Sequence, residues 1–301
     1  NRITQLDPAL FDQYQTEGNR NIWVEGFVNY TDVDSTSYAP GYQLDSWGAH
    51  TGVAFSLSEK AYIGTGFGYI SGETKTKGGY TKTESDTYNM DLFGRYKEGN
   101  FSLSAVVSGG FSNVDYSRHT SYLGEQRIAH GKADGSQVLG MLEAAYDIAL
   151  NESGSSLLQP LVNASVGYVK IDGFDETGLG NAGYHVDRQQ VTMSTLGAGF
   201  RYIYTESTPD SYTPWRAELR ALVTQDVGDT SYDIKANYQG ARNHVMNLQG
   251  VPLERTAFVI GASGVVPLST YAGLSGDITG AFRGGHGLVR AMICPFCPSS
   301  T

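Results

Sequence analysis

The sequence is poor in three features that mark common classes of protein. It has 2 cysteines in 301 residues, Cys294 and Cys297, which is too few for a disulfide framework. Only 17% of its residues are charged, and the net charge of −10 argues against a nucleic-acid partner, because phosphate binding needs clustered Lys and Arg. It contains no run of about 18 apolar residues, so no transmembrane helix is predicted. Its first residues also lack the charged start and apolar core of a signal peptide.

Glycine and tyrosine, in contrast, are abundant. The chain has 38 Gly, 20 Tyr, 12 Phe and 3 Trp. Tyr and Trp at this density suit a membrane interface, where the ring lies among headgroups and its polar end stays wet. The mean hydropathy of −0.29 resembles that of a soluble protein. A membrane barrel with a polar interior and long outer loops has similar values, so hydropathy does not separate the two classes.

The stretch "LLQPLVNASVGY", residues 157–168, shows the pattern on which the fold prediction depends. Leu158, Val162 and Val166 fall on one side of an extended strand, and Gln159 and Asn163 fall on the other. Such a strand has one apolar face and one small, wettable face. In a soluble sandwich the apolar face points inward, whereas in a membrane barrel it points outward to lipid.

Strand-like segments recur along the chain, and the connections between them alternate between short and long. Short turns such as "KEGN" and "PLST" alternate with long polar loops, except at the last hairpin around "RGGHG". Outer-membrane barrels have short turns on the periplasmic side and long loops outside, whereas a soluble sandwich has no reason for this rhythm. We therefore predict an all-β fold, a closed antiparallel transmembrane barrel of twelve strands. The predicted strands lie near residues 22–32, 44–57, 60–73, 86–97, 100–114, 135–150, 156–171, 189–204, 214–227, 254–268, 270–282 and 286–296.

Charged residues in these segments alternate with apolar and aromatic ones. An Arg or Lys that faces lipid at the membrane midplane costs about 2–4 kcal/mol, but in a watery lumen it costs little. A soluble β-sandwich, such as a lectin, would have to expose the same charges, and it leaves the loop rhythm unexplained. The predicted pore-lining residues are Glu25, Asp91, Arg95, Glu143, Arg201, Arg216, Glu218 and Arg220.

A short helix is predicted before the first strand. Asp7 is a candidate N-cap, Pro8 takes the first helical position and Gly18 ends the helix. Residues 8–17 would form a helix of about 15 Å, too short and too polar to span lipid. We expect it to lie inside the barrel as a pore helix, with residues 1–20 as linker and plug and residues 21–301 as the barrel. The residues assigned to this pore helix are Pro8, Phe11, Tyr14 and Glu17.

Several motifs, in this order, resemble those of the C-terminal translocator β-domain of the classical autotransporters, the type V secretion family. They include "IWVEGFVNY", "IGTGFGYISG", "TYNMDLFGRY" and "LQPLVNASVGYVKIDGFDETG". The resemblance implies a twelve-stranded barrel with a pore-threading helix in the bacterial outer membrane, reached through the periplasm. It also implies an N-terminal passenger polypeptide, the barrel-assembly machinery and outer-membrane lipid as partners, and a monomer. The chain departs from the family by continuing past the aromatic Phe296 with "CPSST".

No enzyme motif stands out. The six histidines are scattered, and no pair has the spacing of a metal site such as HExxH, so no metal and no other cofactor is expected. His185 with Asp187, and Asp115 with His119, are the loop candidates for a protease site at the barrel rim. The "CPFC" motif resembles a redox motif, but such motifs act at a helix N-terminus, which a strand end does not offer.

The function predicted is therefore export of a passenger by an outer-membrane translocator. A porin-like channel without a secretion role and an outer-membrane protease with a rim site are the alternatives. Self-cleavage is a further possibility, because part of the autotransporter family cuts its own linker at an Asn pair inside the pore. In that case Asn1 would be the new N-terminus, and Glu25, Asp91, Glu143 and Glu218 would hold the attacking amide and move protons. A sequence that simply starts here, or a cut by another protease, is the preferred account of Asn1, so no catalytic residue is assigned.

Overall fold

Twelve antiparallel strands form a closed barrel. A computed structural model describes residues 20–37, 39–122, 124–206, 215–228, 233–249, 254–269, 272–284 and 286–298. Each barrel strand pairs with its neighbours in the chain, and the last strand pairs with the first, so the sheet has no free edge. This confirms the predicted fold class. The strands are β1 (Arg20–Val33), β2 (Tyr42–Ser58), β3 (Ala61–Thr76), β4 (Thr81–Glu98), β5 (Phe101–Tyr122), β6 (Glu125–Tyr146), β7 (Ser156–Ile171), β8 (Gln189–Glu206), β9 (Trp215–Asp226), β10 (Thr256–Ser269), β11 (Ala272–Arg283) and β12 (His286–Pro298).

The apolar side chains of the strands face outward and the charged ones face inward. On β4, Met90 and Leu92 are 66% and 54% exposed, whereas Asp91 and Phe93, which alternate with them, are 1% and 2% exposed. This is the reverse of a soluble barrel. Exposed Met and Leu side chains are favourable in contact with lipid and unfavourable in contact with water, so the outer face is a membrane-facing surface.

Aromatic residues lie near the two edges of this membrane-facing surface, and the distance between them gives its height. Trp47, Tyr69, Tyr88 and Phe111 lie side by side on β2 to β5, with ring centroids 5.7, 5.3 and 5.5 Å apart. Tyr96 lies eight residues along β4 from Tyr88, on the same face. Eight residues span about 27 Å along a strand and about 21 Å after a tilt of about 40°, close to the ~25 Å apolar band of outer-membrane barrels.

Two connections predicted as long loops are instead extensions of the strands. The β5–β6 hairpin has 22 residues in each strand, where the sequence predicted strands at 100–114 and 135–150. The β3–β4 hairpin likewise continues to a tight turn in which Gly78 and Gly79 have positive φ. These extensions lie beyond the membrane and carry mostly polar residues on both faces, so they lack the regular alternation that identifies a strand. Cross-strand ion pairs stabilise them, as between Glu73 and Lys82 at 2.7 Å.

The outer connections after β7 and after β9 build a second, smaller sheet. It consists of Phe174–Asp175, Tyr184–Val186, Asp233–Tyr238 and Ala241–Gln249, and we call it the outer sheet. A bridge between His130 and Thr177 joins it to the β5–β6 hairpin. The sequence predicted loops here, because these strands are short or interrupted and carry no clear alternation.

The predicted pore helix, with Pro8, Phe11, Tyr14 and Glu17, lies outside the described residues. The short turn Gly180–Ala182 is a 3-10 helix in the connection after β7. Among the residues that are described, no helix has the length and apolar composition needed to cross a bilayer.

Candidate functional site: the charged interior of the barrel

The structure places the eight charged residues predicted for the lumen inside the barrel. Seven of them are buried, and the side chain of Arg216 is 19% exposed. Alternation positions them, because each follows or precedes a residue that faces lipid. Leu219, for example, is 59% exposed between the buried Glu218 and Arg220. Their role in lining a pore stays a prediction.

Five of the inward charges form a band of alternating sign across one wall. Arg201 on β8 lies 3.1 Å from Glu143 on β6 and 3.0 Å from Glu218 on β9. Arg220 lies 3.6 Å from Glu218 and 2.7 Å from Asp277 on β11. Each charge thus has an opposite charge beside it, which offsets much of the cost of removing it from bulk water.

A polar branch leads from this band toward the periplasmic turns. Arg201 donates a hydrogen bond of 2.5 Å to Gln159, and Gln159 donates one of 2.5 Å to Asp147. Lys97 then donates to Asp147 at 2.7 Å. The sequence prediction did not include Gln159 or Asp147. Gln159 takes an inward position in the alternation of β7, so the pattern predicted its direction. It was not among the predicted pore-lining residues, because those were chosen from charged side chains.

A second cluster on the opposite side of the interior joins β1, β2 and β4. The imidazole Nε2 of His50 lies 2.5 Å from Asp91, and its Nδ1 lies 3.5 Å from Glu25. Asn89 donates a hydrogen bond of 3.0 Å to Asp91. Trp23 meets the imidazole edge-on, with centroids 4.6 Å apart. His50 was missed by the sequence prediction, although it occupies the inward position in "SWGAHTGVAF".

The interior is not polar throughout. Below the histidine cluster, a group of buried apolar side chains packs inside the barrel: Trp23, Ala54, Tyr62, Phe93, Val106 and Val265. The sequence prediction described the lumen as a hydrophilic conduit, and these residues make part of its wall apolar. The described interior therefore combines a charged band with an aromatic layer.

The histidines proposed for a rim protease lie on the outer surface. His185 contacts Asp175 at 2.7 Å through Nδ1 and Asp187 at 3.4 Å through Nε2, in the outer sheet. The structure therefore brings His185 and Asp187 together. Asp115 instead forms an ion pair of 2.8 Å with Lys132.

Among the residues that the structure describes, no three His, Cys, Asp or Glu side chains are grouped to hold a metal ion.

In the connection after β7, Lys170 and then Arg188 hold the pKa of Asp172 below its ordinary value, through ion pairs of 2.9 and 3.2 Å.

The outer sheet is held by a buried ion pair. Arg118, on the extension of β5, donates two hydrogen bonds of 2.9 and 2.6 Å to Glu176, whose side chain is fully buried. The guanidinium also lies 4.1 Å from the ring centre of Tyr184, whose backbone N–H donates to Glu176 at 2.8 Å. A bidentate pair of this kind fixes orientation as well as distance, so it holds the outer sheet against the β5–β6 hairpin.

A closed antiparallel barrel with an apolar outer face and a charged interior is an integral barrel of the outer membrane. Residues 22–279 match the autotransporter beta-domain family, and the chain belongs to that family. It is therefore an outer-membrane protein of the Gram-negative type.

Known proteins with similar sequences differ in what their names say they do. The chain is 23% identical to the esterase EstA of Pseudomonas aeruginosa over 197 residues, which are 65% of this chain and 30% of EstA. It is 26% identical to an extracellular serine protease of Serratia marcescens over 178 residues, or 58% of this chain and 16% of that protein. The chain thus spans less than a third of these relatives. The translocator domain of the autotransporter NalP from Neisseria meningitidis shares the fold, with a TM-score of 0.75, 13% identity, and coverage of 96% of this chain and 92% of that domain.

Proposed function

We propose that this barrel exports a passenger polypeptide, attached before residue 1, from the periplasm to the cell surface. The observation that carries the proposal is the closed barrel with a charged interior, in a chain of the autotransporter family. An extended peptide needs partners for its backbone N–H and C=O groups when it leaves water. Side chains such as Arg201, Glu218 and Arg220 offer them along one wall.

The orientation of the barrel supports this route. β1 begins, and β12 ends, on the side of the short turns, which is the periplasmic side of an outer-membrane barrel. A passenger joined through residues 1–19 would thus meet the barrel at its periplasmic mouth. We further propose that the chain reaches the membrane through the periplasm, is inserted by the barrel-assembly machinery, and works as a monomer without a cofactor.

A fusion experiment tests the proposal. A short epitope-tagged polypeptide is fused before residue 1, and the chain is produced in the outer membrane of a Gram-negative host. We expect the epitope to be accessible to antibody and protease on intact cells. The matched control is the same fusion to residues 1–253, which lacks β10 to β12 and cannot close the barrel. If the full barrel folds, shown by its heat-dependent mobility on gels, while the epitope stays inside intact cells, the export proposal is wrong.

A further inference from the structure

The CPFC motif lies at the seam that closes the barrel. Cys294 pairs with Ser275 of β11, and Cys297 pairs with Ile22 of β1. Phe296 between them pairs with both neighbouring strands, opposite Gly273 on β11 and opposite Trp23 on β1. These are the only 2 cysteines of the sequence.

The backbone of β12 keeps the two cysteines apart. Three residues of an extended strand span about 10 Å, whereas the Cα atoms of a disulfide are about 4.4–6.8 Å apart. A bond between Cys294 and Cys297 would therefore bend the chain out of its strand. The end of β12 and a Cys294–Cys297 disulfide exclude each other.

We propose that Cys294 and Cys297 form a disulfide in the unfolded chain, and that this bond must be reduced before the end of β12 can pair with β1 and β11. The motif is then a redox-controlled modification site and not a redox catalyst. In the oxidation, two thiols lose two protons and two electrons to a disulfide oxidant, which leaves as two thiols. In the reduction, a dithiol reductant attacks the bond through a mixed disulfide and itself becomes the disulfide. The timing rests on the proposed passage through the oxidising periplasm.

The pairing of β12 with β1 falls into two groups, whereas its pairing with β11 is continuous from His286 to Phe296. The pairing of β1 with β12 joins Asn21, Ile22 and Trp23 to residues 296–298, skips Val24 and Glu25, and resumes from Gly26 to Val33. The interruption lies opposite Pro295, whose nitrogen has no hydrogen to donate. The disulfide therefore removes the three pairs with β1 below the interruption, together with the pairs of residues 294–296 with β11, and leaves the eight pairs with β1 above it. The oxidised barrel stays closed on the outer side and opens at the periplasmic end of the seam.

Refolding of the full chain tests the proposal. The chain is unfolded in urea, oxidised with diamide or kept in dithiothreitol, and refolded into detergent micelles. The bond is verified by a mass loss of two hydrogens and by resistance to thiol alkylation. Hydrogen exchange is then followed by mass spectrometry in residues 20–23, 272–275 and 286–298. We expect the oxidised chain to lose protection in residues 20–23, 272–275 and 294–298 while residues 286–293 keep it. Addition of dithiothreitol should restore the lost protection.

The reverse reaction gives an independent readout. Diamide should form the bond about tenfold or more slowly in the folded barrel than in the unfolded chain, because the extended backbone of β12 keeps the two Cα atoms farther apart than a disulfide allows. The double variant Cys294→Ser/Cys297→Ser should exchange like the reduced barrel under both conditions. Equal protection of residues 294–298 in the oxidised and reduced barrels would overturn the proposal, and so would equal rates of bond formation. An oxidised chain that refolds only after reduction would support the need for reduction and would show that the outer side of the seam does not close on its own. None of these readouts involves a passenger, so failure of export would leave the result intact.

Discussion

His50 on β2 reaches Asp91 on β4 across the whole width of β3, with 2.5 Å between imidazole Nε2 and the carboxylate. The contact is possible because β3 presents glycine at this level. A Cβ atom on Gly66 would lie 2.6 Å from Nε2 of His50, and one on Gly68 would lie 2.6 Å from the side chain of Asn89. Glycine here provides the space through which two strands that do not pair share a contact.

Gly66→Ala should therefore destabilise the barrel. The added methyl group forces the imidazole away from Asp91, and overpacking of this kind costs about 1–3 kcal/mol. The unfolding midpoint in urea, followed by gel mobility, measures the effect. Gly109→Ala is the matched control, because nothing lies within 4 Å of the new methyl group. Equal losses in the two variants would show that the space at β3 is unimportant.

Leu219→Arg should destabilise the folded barrel by about 2–4 kcal/mol if Leu219 lies at the membrane midplane. Its side chain is 59% exposed on the outer face, so the guanidinium would enter lipid. Val227→Arg places the same charge just beyond the end of β9, at a residue that is 55% exposed. There the cost should fall to about 0–1 kcal/mol. Reversible unfolding in lipid vesicles compares the two variants, and equal costs would place Leu219 outside the apolar band.

Arg201 and Glu143 should be strongly coupled. Arg201→Met leaves the buried carboxylates of Glu143 and Glu218 without the cation that they share. Removal of one partner from a buried ion pair lowers the free energy of unfolding by about 3–5 kcal/mol. Glu143→Gln in the same chain should recover part of that loss, giving a coupling of about 0.5–3 kcal/mol in a double-mutant cycle.

The control cycle uses Lys60 and Glu98, whose side chains are 2.8 Å apart but more than half exposed. Their coupling should be too small to measure, because exposed pairs are screened by water and salt. Additive effects at Arg201 and Glu143 would mean that the interior is as well solvated as the surface.

Glu176→Gln should loosen the outer sheet without weakening the barrel. The amide cannot accept both hydrogen bonds of Arg118, so residues 172–188 should be cut faster by added protease while the unfolding midpoint of the barrel stays the same. Glu125→Gln serves as the control, since Glu125 has an exposed side chain and pairs only with Arg127 among the described residues. A lower midpoint for Glu176→Gln would show that the outer sheet supports the barrel itself.

Removal of residues 1–20, so that the chain begins at Asn21, should raise ion conductance in planar bilayers. The physical reason is that a helix at residues 8–17, if it lies in the lumen as predicted, would block a path for water and ions that its removal opens. The full chain measured in the same membrane is the reference. The same conductance with and without the segment would contradict the plug assignment.

The alternation of side chains was enough to predict the barrel and the direction in which its charged residues point. Period two on a strand is a local property, so Glu218 and Leu219 take opposite faces whatever their partners are. Closure was predicted because the loop rhythm indicated an outer-membrane barrel. The pairs formed inside could not be read in the same way, because Arg201 meets Glu143 and Glu218 through a register set by the whole barrel.

More of the chain beyond the membrane forms strands than the sequence predicted. The extensions of β5 and β6 carry mostly polar residues on both faces, because neither face contacts lipid, and the regular alternation is lost. The outer sheet depends on Glu176, which is distant in sequence from Arg118 and meets it only in the fold. Such contacts have no local signature.

The β5–β6 hairpin projects far beyond the outer surface of the membrane on one side of the barrel. Phe111 lies in the outer aromatic row, and eleven further residues of β5 follow it to Tyr122. At about 3.4 Å per residue and a tilt of about 40°, they rise about 28 Å above the membrane. The tip between Tyr122 and Glu125 thus stands clear of the lipid headgroups. It offers a place to insert an epitope tag that counts folded barrels on living cells without any change to the membrane-spanning strands.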